Sequence, residues 1–189
     1  MTALRSAART AQVDLTLALE GCHTGVFADV IRGGELRDTL AAVRAQAGAA
    51  SGAAQPALQA LVPVLDNAIA VQAQKDGFNA RVHTWWARRY ELERQYLAAP
   101  ENMDLLNACQ AHYETLQVIW NNFATPVIPC VTALWTNAAT AGIVFDLPQR
   151  IAPLSGTFDQ DGEQAIQAGL DDLDTILNRI LQETDSRLR

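Results

Sequence analysis

The sequence has few of the residues on which small secreted or metal-dependent domains rely. Its 189 residues include three cysteines, Cys22, Cys109 and Cys130, and no two of them have the close spacing of a zinc site. A chain of this length buries roughly 70% of the surface that its unfolded form exposes, so it can fold without disulfides or a structural metal. An odd number of cysteines is typical of a reducing compartment. We therefore expect a cytoplasmic protein, and export without a leader peptide is the alternative.

Basic residues are also scarce, and lysine occurs once, as Lys75. The sequence has 14 lysines and arginines against 21 acidic residues, which gives a net charge of −7. The acidity lies in the second half, because residues 101–189 carry twelve acidic and four basic residues. Such a charge opposes nonspecific attraction to nucleic acid and to anionic membranes. The sequence therefore predicts no nucleic-acid partner.

The motifs of common catalytic sites are absent. The sequence has no G-x-S-x-G elbow, no phosphate-binding P-loop and no G-x-G-x-x-G run. Cys109 and His112 are spaced to meet on one helix, but both lie on its predicted core face, where cysteine is usually an inert apolar residue. We therefore predict a noncatalytic protein without a cofactor. An enzyme with an unrecognised site is the third alternative.

The histidines do not form a metal-binding pattern. Glu20 and His23 have the Glu-x-x-His spacing that supplies half of a di-iron site in helical bundles. The second half is missing, because neither His83 nor His112 has a glutamate three residues before it. We therefore predict no bound metal.

The residues that are abundant favour helices. Alanine is common throughout, and apolar residues recur at steps of three and four without long alternation. The pattern predicts a single all-α domain over residues 1–189, a bundle of five to seven helices that includes one near residues 3–20. A long amphipathic C-terminal helix is expected over residues 161–188. Residues 47–55 are rich in alanine, glycine and serine, and they predict a flexible linker.

Pro100 divides two long helical stretches that we expect to form a central antiparallel hairpin, over about residues 78–98 and 102–124. The apolar stripe before residue 75 lies nearly opposite the stripe after residue 78. This change of phase predicts a break or a marked bend near Lys75 to Gly77. Residues 125–158 contain four of the seven prolines and predict a partly irregular connection.

The predicted hairpin forms one candidate ligand site. Residues equally far from Pro100 face each other, which places Arg89, inside an apolar seam, level with His112. A buried guanidinium needs an acceptor, and Glu20, Glu35, Glu93, a backbone carbonyl or a bound anion are the alternatives. The layer is therefore interpreted either as a polar contact that fixes the helix register or as a site for a small anionic ligand.

A second candidate surface is the run of rings and cations around Trp86, Arg88 and Tyr90, which is typical of a partner-binding surface. Residues 115–145 carry no charge, and they predict a core helix, with a lipid-facing segment over residues 126–145 as the alternative. Amphipathic helices are plentiful, so the leading hypothesis is an adaptor or assembly subunit that binds a protein partner or itself. An anion-binding or membrane-binding bundle is the alternative. The excess of arginine over lysine suggests a bacterial or phage genome.

Overall fold

The computed structural model describes residues 32–145 and 150–189, and these residues form an all-α bundle without strands. Residues 32–48 belong to the first helix, α1, and a short 3₁₀ turn covers Gly52–Ala54. The other four helices are α2 (Gln55–Gln59), α3 (Val62–Ala98), α4 (Met103–Thr140) and α5 (Gln160–Leu188). The predicted fold class is therefore confirmed. The helix expected near residues 3–20, and with it Glu20 and His23, lies outside the described residues.

The reversal at Pro100 forms the central hairpin, as predicted. α3 ends at Ala98, and α4 begins after Asn102, whose side-chain oxygen accepts hydrogen bonds from the backbone nitrogens of Asp104 and Leu105 at 3.0 and 3.3 Å. This cap satisfies two of the amide groups that a helix leaves free at its start. α3 and α4 then pack side by side along their length. Both helices are longer than expected, with 37 and 38 residues.

A break near Lys75 to Gly77 is wrong, because α3 is a continuous helix from Val62 to Ala98, and a marked bend there stays a prediction. Its apolar residues change side because the helix has several neighbours. α1 pairs with its first half through Arg44 and Asp66 at 2.8 Å, α4 packs along its other side, and Asp174 of α5 pairs with Lys75. A helix that is covered from several directions can bury more than one face without bending.

Within the partly irregular connection expected over residues 125–158, the helical part belongs to α4, which continues to Thr140 through Pro126 and Pro129. A proline inside a helix removes one backbone hydrogen bond and costs about 3 kcal/mol. Both prolines are exposed, so the carbonyl groups they leave free can be hydrated. On the opposite side, Val127, Val131 and Leu134 are fully buried. Burial of this apolar face offsets the loss, and residues 141–145 and 150–159 form the connection.

The predicted linker over residues 47–55 is largely helical. α1 includes residues 47 and 48, and helical turns resume at Gly52. Pro56 lies in the first turn of α2, where its missing N–H has no partner to lose. The flexibility of this segment and the single-domain organisation stay predictions.

The C-terminal helix buries its apolar stripe within the bundle. Leu173, Ile176, Leu177 and Ile180 are at most 1% exposed. The helix starts at Asp159, whose carboxylate accepts a hydrogen bond from the Gly162 nitrogen at 3.1 Å. The apolar stripe of α5 is therefore covered by other parts of the same chain and is not free to pair with a second copy.

Close contact between α4 and α5 depends on one glycine. A Cβ atom on Gly169 would lie 2.9 Å from Cη2 of Trp120 and 3.4 Å from the Arg150 carbonyl. The Trp120 indole is fully buried, and its Nε1 donates a hydrogen bond to the Ala152 carbonyl at 2.8 Å. The ring therefore has no free direction in which to move.

We expect Gly169→Ala to lower the stability of the fold, although alanine is the better helix former by about 1 kcal/mol. Overpacking against a fixed ring costs typically 1–3 kcal/mol, so the net change should be destabilising. Gly77→Ala is the matched control, since a Cβ atom there meets nothing within 4 Å, and it should stabilise α3. Chemical denaturation measures both changes. Equal stabilisation by the two substitutions would contradict the close approach at Gly169.

Candidate functional site

Arg89 lies in a cage of aromatic rings on the hairpin. Its guanidinium carbon is 5.4 Å from the ring centre of Trp85, 5.0 Å from that of Trp86 and 5.4 Å from that of Tyr113. Its Nε donates a hydrogen bond to the Glu93 carboxylate at 2.7 Å, one turn along α3. Both side chains of this pair are largely buried, with 24% and 18% exposed. Glu93 is one of the acceptors considered from the sequence, and it pairs with Arg89.

His112 reaches the same indole from α4. Its ring stacks on Trp85 with 5.2 Å between ring centres and an angle of 17° between planes. Its Nε2 lies 3.0 Å from the Trp85 carbonyl, and Trp85 Nε1 donates to the His112 carbonyl at 3.0 Å and to Thr115 Oγ1 at 3.1 Å. These reciprocal hydrogen bonds fix the register of the hairpin. His112 is therefore level with Trp85, one turn of α3 from Arg89.

The predicted layer thus combines Arg89 and His112 through a shared ring. Arg89 was expected to face His112 because the two residues are about equally far from Pro100. In the structure, the residue that faces and bonds His112 is Trp85, one turn earlier on α3. The guanidinium has a carboxylate partner and three ring contacts, so its charge is compensated within the chain. The binding of an anion at this layer stays a prediction.

Two ionisable groups beside this layer, Tyr113 and Cys109, have raised pKa values. Burial raises the pKa of the Tyr113 hydroxyl, and the nearby Glu163 carboxylate raises it further. Burial also raises the pKa of the Cys109 thiol, with a contribution from Glu93. A thiol with a raised pKa is a poor nucleophile at neutral pH. Among the described residues, no three His, Cys, Asp or Glu side chains lie close enough to hold a metal ion.

The predicted partner-binding residues occupy different positions on α3. Trp86 is half-buried, and its ring packs edge-on against Trp85 with 5.0 Å between centres. Arg88 is exposed, and Tyr90 is half-buried. Of these three residues, Trp86 borders a concave surface.

That surface, which we call the aromatic cleft, is a groove of about 590 Å³ between α3, α4 and the start of α5. Its apolar lining consists of Phe78, Val82, Trp86, Leu116, Ile166 and Leu170. Its polar lining includes Arg89 and Glu163. An apolar floor with a polar rim of this size is typical of ligand and peptide sites.

A second groove, the polar cleft, adjoins the first and has a volume of about 640 Å³. It lies between α1, α3 and α5, and Asn79, Gln167 and Leu170 line both clefts. Its wall contains three polar side chains of α3 that are nine-tenths buried or more, namely Gln72, Lys75 and Asn79.

The two clefts follow one stripe of α3, at alternating steps of three and four residues. The stripe consists of Gln72, Lys75, Asn79, Val82, Trp86 and Arg89. It extends over 17 residue steps, or about 25 Å of helix. The sequence analysis assigned Lys75 to a break and did not detect the polar end of this stripe. The steps of three and four residues that lead from Leu65 and Ala68 through Gln72 to Val82 would have indicated this polar end.

The charge-free part of α4 has two different sides. Trp120, Phe123, Val127 and Val131 lie in the core, as expected for a buried helix. The outer side is exposed and consists of small or polar uncharged residues, which form a stripe of Val118, Asn122, Thr125, Pro129, Thr132, Thr136 and Thr140. None of the helices in the described ranges is long and apolar enough to cross a membrane.

The sequence matches no family model, no curated protein and no solved structure.

Neutralisation of Arg89 by Glu93 can be tested directly. We expect Glu93→Gln to destabilise the protein by about 1–2 kcal/mol, between the values for exposed and buried ion pairs, because the half-buried guanidinium loses its carboxylate. Stability should then rise with added phosphate, which can replace the lost charge.

The matched control is Glu91→Gln on the same helix. Glu91 pairs with the exposed Arg94 at 3.0 Å, so this change should have little effect on stability and create no phosphate dependence. Thermal unfolding with and without phosphate measures all three proteins. Equal effects of the two substitutions would show that Arg89 does not depend on Glu93.

Proposed function

We propose that this protein is a noncatalytic binding protein, and that its aromatic cleft holds an amphipathic helical segment of a partner protein. The observation that carries this proposal is the apolar floor of the cleft, which opens between α3 and α5 beside the half-buried Trp86. Helix-in-groove recognition uses such a surface, because the apolar face of the incoming helix fills the floor and its polar face stays in water.

The charges around the cleft favour a basic partner. Arg89 is compensated by Glu93, so the rim gains little positive charge from it. Asp159, Asp161 and Glu163 lie at the start of α5, and Glu163 lines the cleft. A helix with apolar residues on one face and lysine or arginine beside them complements this rim.

The residues near the cleft do not favour catalysis. The Cys109 thiol has a raised pKa, and Arg89 is occupied by a carboxylate and three rings. A binding role requires only shape, apolar area and charge, and these residues provide all three. The proposed class is therefore an adaptor or assembly subunit.

Partner capture from the native host tests the proposal. We expect one protein to copurify with the wild-type chain, and Leu170→Gln combined with Glu163→Lys to weaken its binding at least about tenfold. Loss of buried leucine area and of a rim charge each weaken an interface by an amount of this order.

Val118→Gln is the control for this experiment, because Val118 is 58% exposed on the outer side of α4. It removes an apolar side chain outside the cleft, so the affinity measured by titration with the purified partner should stay unchanged. A partner that binds the cleft variant as tightly as the wild type would refute the aromatic cleft as the docking surface.

Self-association is a second candidate, and the outer stripe of α4 favours it. A net charge of −7 makes two copies repel each other over most of their surface, whereas this stripe carries no charge from Val118 to Thr140. The stripe spans about 33 Å, and its small side chains permit close approach of a second helix. We propose that a dimer, where it forms, uses this stripe.

Thr132→Lys tests the stripe. In a dimer it would place a buried positive charge on each copy, so we expect the dissociation constant to rise more than tenfold in sedimentation velocity. Thr175→Lys on α5 is the matched control, since both threonines are exposed and both donate to the carbonyl four residues earlier. A wild-type protein that stays monomeric at high concentration would exclude this candidate.

A further inference from the structure

The polar cleft contains hydrogen-bonding groups that the fold does not use. Gln72, Lys75 and Asn79 lie at 1%, 8% and 8% exposure on the wall that α3 contributes. Polar side chains that are buried to this extent are normally satisfied by hydrogen bonds inside the protein. Of these three, Gln72 keeps a buried oxygen atom without a hydrogen-bond partner.

Gln72 has a surplus acceptor. Its Nε2 donates a hydrogen bond to Asp76 Oδ1 at 2.7 Å and to the Gly33 carbonyl at 3.4 Å. Both partners are acceptors, so the amide cannot be turned around without losing them. The Gln72 Oε1 atom is consequently left buried without a hydrogen-bond partner. A donor that enters the cleft would remove this deficit.

Gly33 makes this arrangement possible. A Cβ atom on Gly33 would lie 2.4 Å from Asp76 Oδ1 and 3.1 Å from Gln72 Nε2. A side chain at this position would displace the Asp76 carboxylate and the Gln72 amide, so glycine keeps this arrangement in place. α1 thus fixes the orientation of the glutamine amide.

Asn79, two positions further along the stripe, also has hydrogen-bonding groups that the described part of the chain does not use. Its side chain forms no hydrogen bond with the described part of the chain, and it lines the cleft. Lys75 lies between the two amides, and its charge is matched by Asp174 across the cleft. The lysine therefore adds little net positive charge.

The remaining charges of the wall are mainly negative. Glu35 of α1 and Asp171 of α5 line the cleft, and neither forms an ion pair within residues 32–145 and 150–189. Asp171 accepts a hydrogen bond from Gln167, which is neutral. Arg32 is the one further cation of the lining as described. Two carboxylates and an unpartnered amide oxygen make this wall rich in acceptors.

We propose that the polar cleft binds an organic cation through a primary ammonium group. The N–H groups of the ammonium donate to Gln72 Oε1, and its charge faces Glu35 and Asp171. The cation is carried either by a free amine or by a lysine side chain of a bound protein, and both sources present the same chemistry. Gln72, Glu35 and Asp171 line the polar cleft but not the adjoining aromatic cleft, so the proposal does not depend on the proposed function.

Titration of the full chain with 1,4-diaminobutane, followed by NMR, tests the proposal. We expect a saturable shift of the Gln72 side-chain amide signal, because its carbonyl gains a hydrogen bond. 1-Butanol, which has the same apolar chain without the charge, should leave that signal unchanged. An equal shift with 1-butanol, or none with the diamine and none with N-acetyl-lysine amide, would overturn the proposal.

The variant Glu35→Gln/Asp171→Asn removes the two carboxylates and leaves the buried amides in place. We expect it to bind the diamine about 3- to 10-fold more weakly, since each exposed charge contributes modestly. Both positions are exposed, so the variant should fold. Asp38→Asn is the control, because Asp38 is an exposed acid of α1 outside the lining of the cleft. Equal weakening by Asp38→Asn would indicate general attraction to an acidic protein and would overturn the site.

Titrations with 1,4-diaminobutane and with N-acetyl-lysine amide distinguish the two sources of the ammonium group. Tighter binding of 1,4-diaminobutane than of N-acetyl-lysine amide supports a free amine. The reverse order supports a lysine side chain from a bound protein. The Gln72 signal separates both results from binding in the aromatic cleft, which Gln72 does not line.

Discussion

The packing of the bundle depends on the position of the Trp120 indole. The ring is fully buried, and it contacts Phe78 of α3 edge-on at 5.7 Å and Phe123 of α4 at 5.4 Å between ring centres. Its Nε1 donates to the carbonyl of Ala152, and its outer edge faces Gly169 of α5. Three helices and the connection before α5 therefore meet on one side chain. A second tie fixes the same connection, because the buried Asp172 accepts hydrogen bonds from the backbone nitrogen and the guanidinium of Arg150.

This arrangement explains why the clefts lie along α3. The Trp120 ring of α4 packs directly against the backbone of α5 at Gly169, because glycine has no side chain to displace the ring. The neighbours of this glycine, Gln167, Leu170 and Asp171, carry side chains and line the grooves on the side of α3. The same helix thus seals the core through a glycine and borders two clefts through the residues beside it. The chemistry of each cleft is then set by the α3 stripe, which is amide-rich around Gln72 and aromatic around Trp86.

The sequence predicted the elements better than their extent. Pro100, with Asn102 after it, marks the hairpin, and the regular stripe of α5 marks the last helix, so both could be found from periodicity and capping. The continuity of α3 could not, because a change of apolar phase is compatible with either a bend or several neighbours. The path of α4 through Pro126 and Pro129 depends on burial of Val127 and Val131, which sequence position alone does not reveal. The register of Trp85 against His112 depends on side-chain hydrogen bonds, which distance from a turn does not determine.

The single lysine of the chain shows how the polar cleft constrains its residues. The sequence uses arginine for its other thirteen basic positions, yet lysine stands at position 75, which is 8% exposed and lies opposite Asp174. A guanidinium has five N–H donors in a rigid plane, whereas an ammonium has three around a compact centre. In a buried wall with one carboxylate partner, arginine would leave more donors without acceptors and would fill more of the cleft. The wall therefore holds the ammonium group of its own Lys75 better than it would hold a guanidinium. The Gln72 oxygen, which has no hydrogen-bond partner, belongs to the residue one turn before Lys75 on α3.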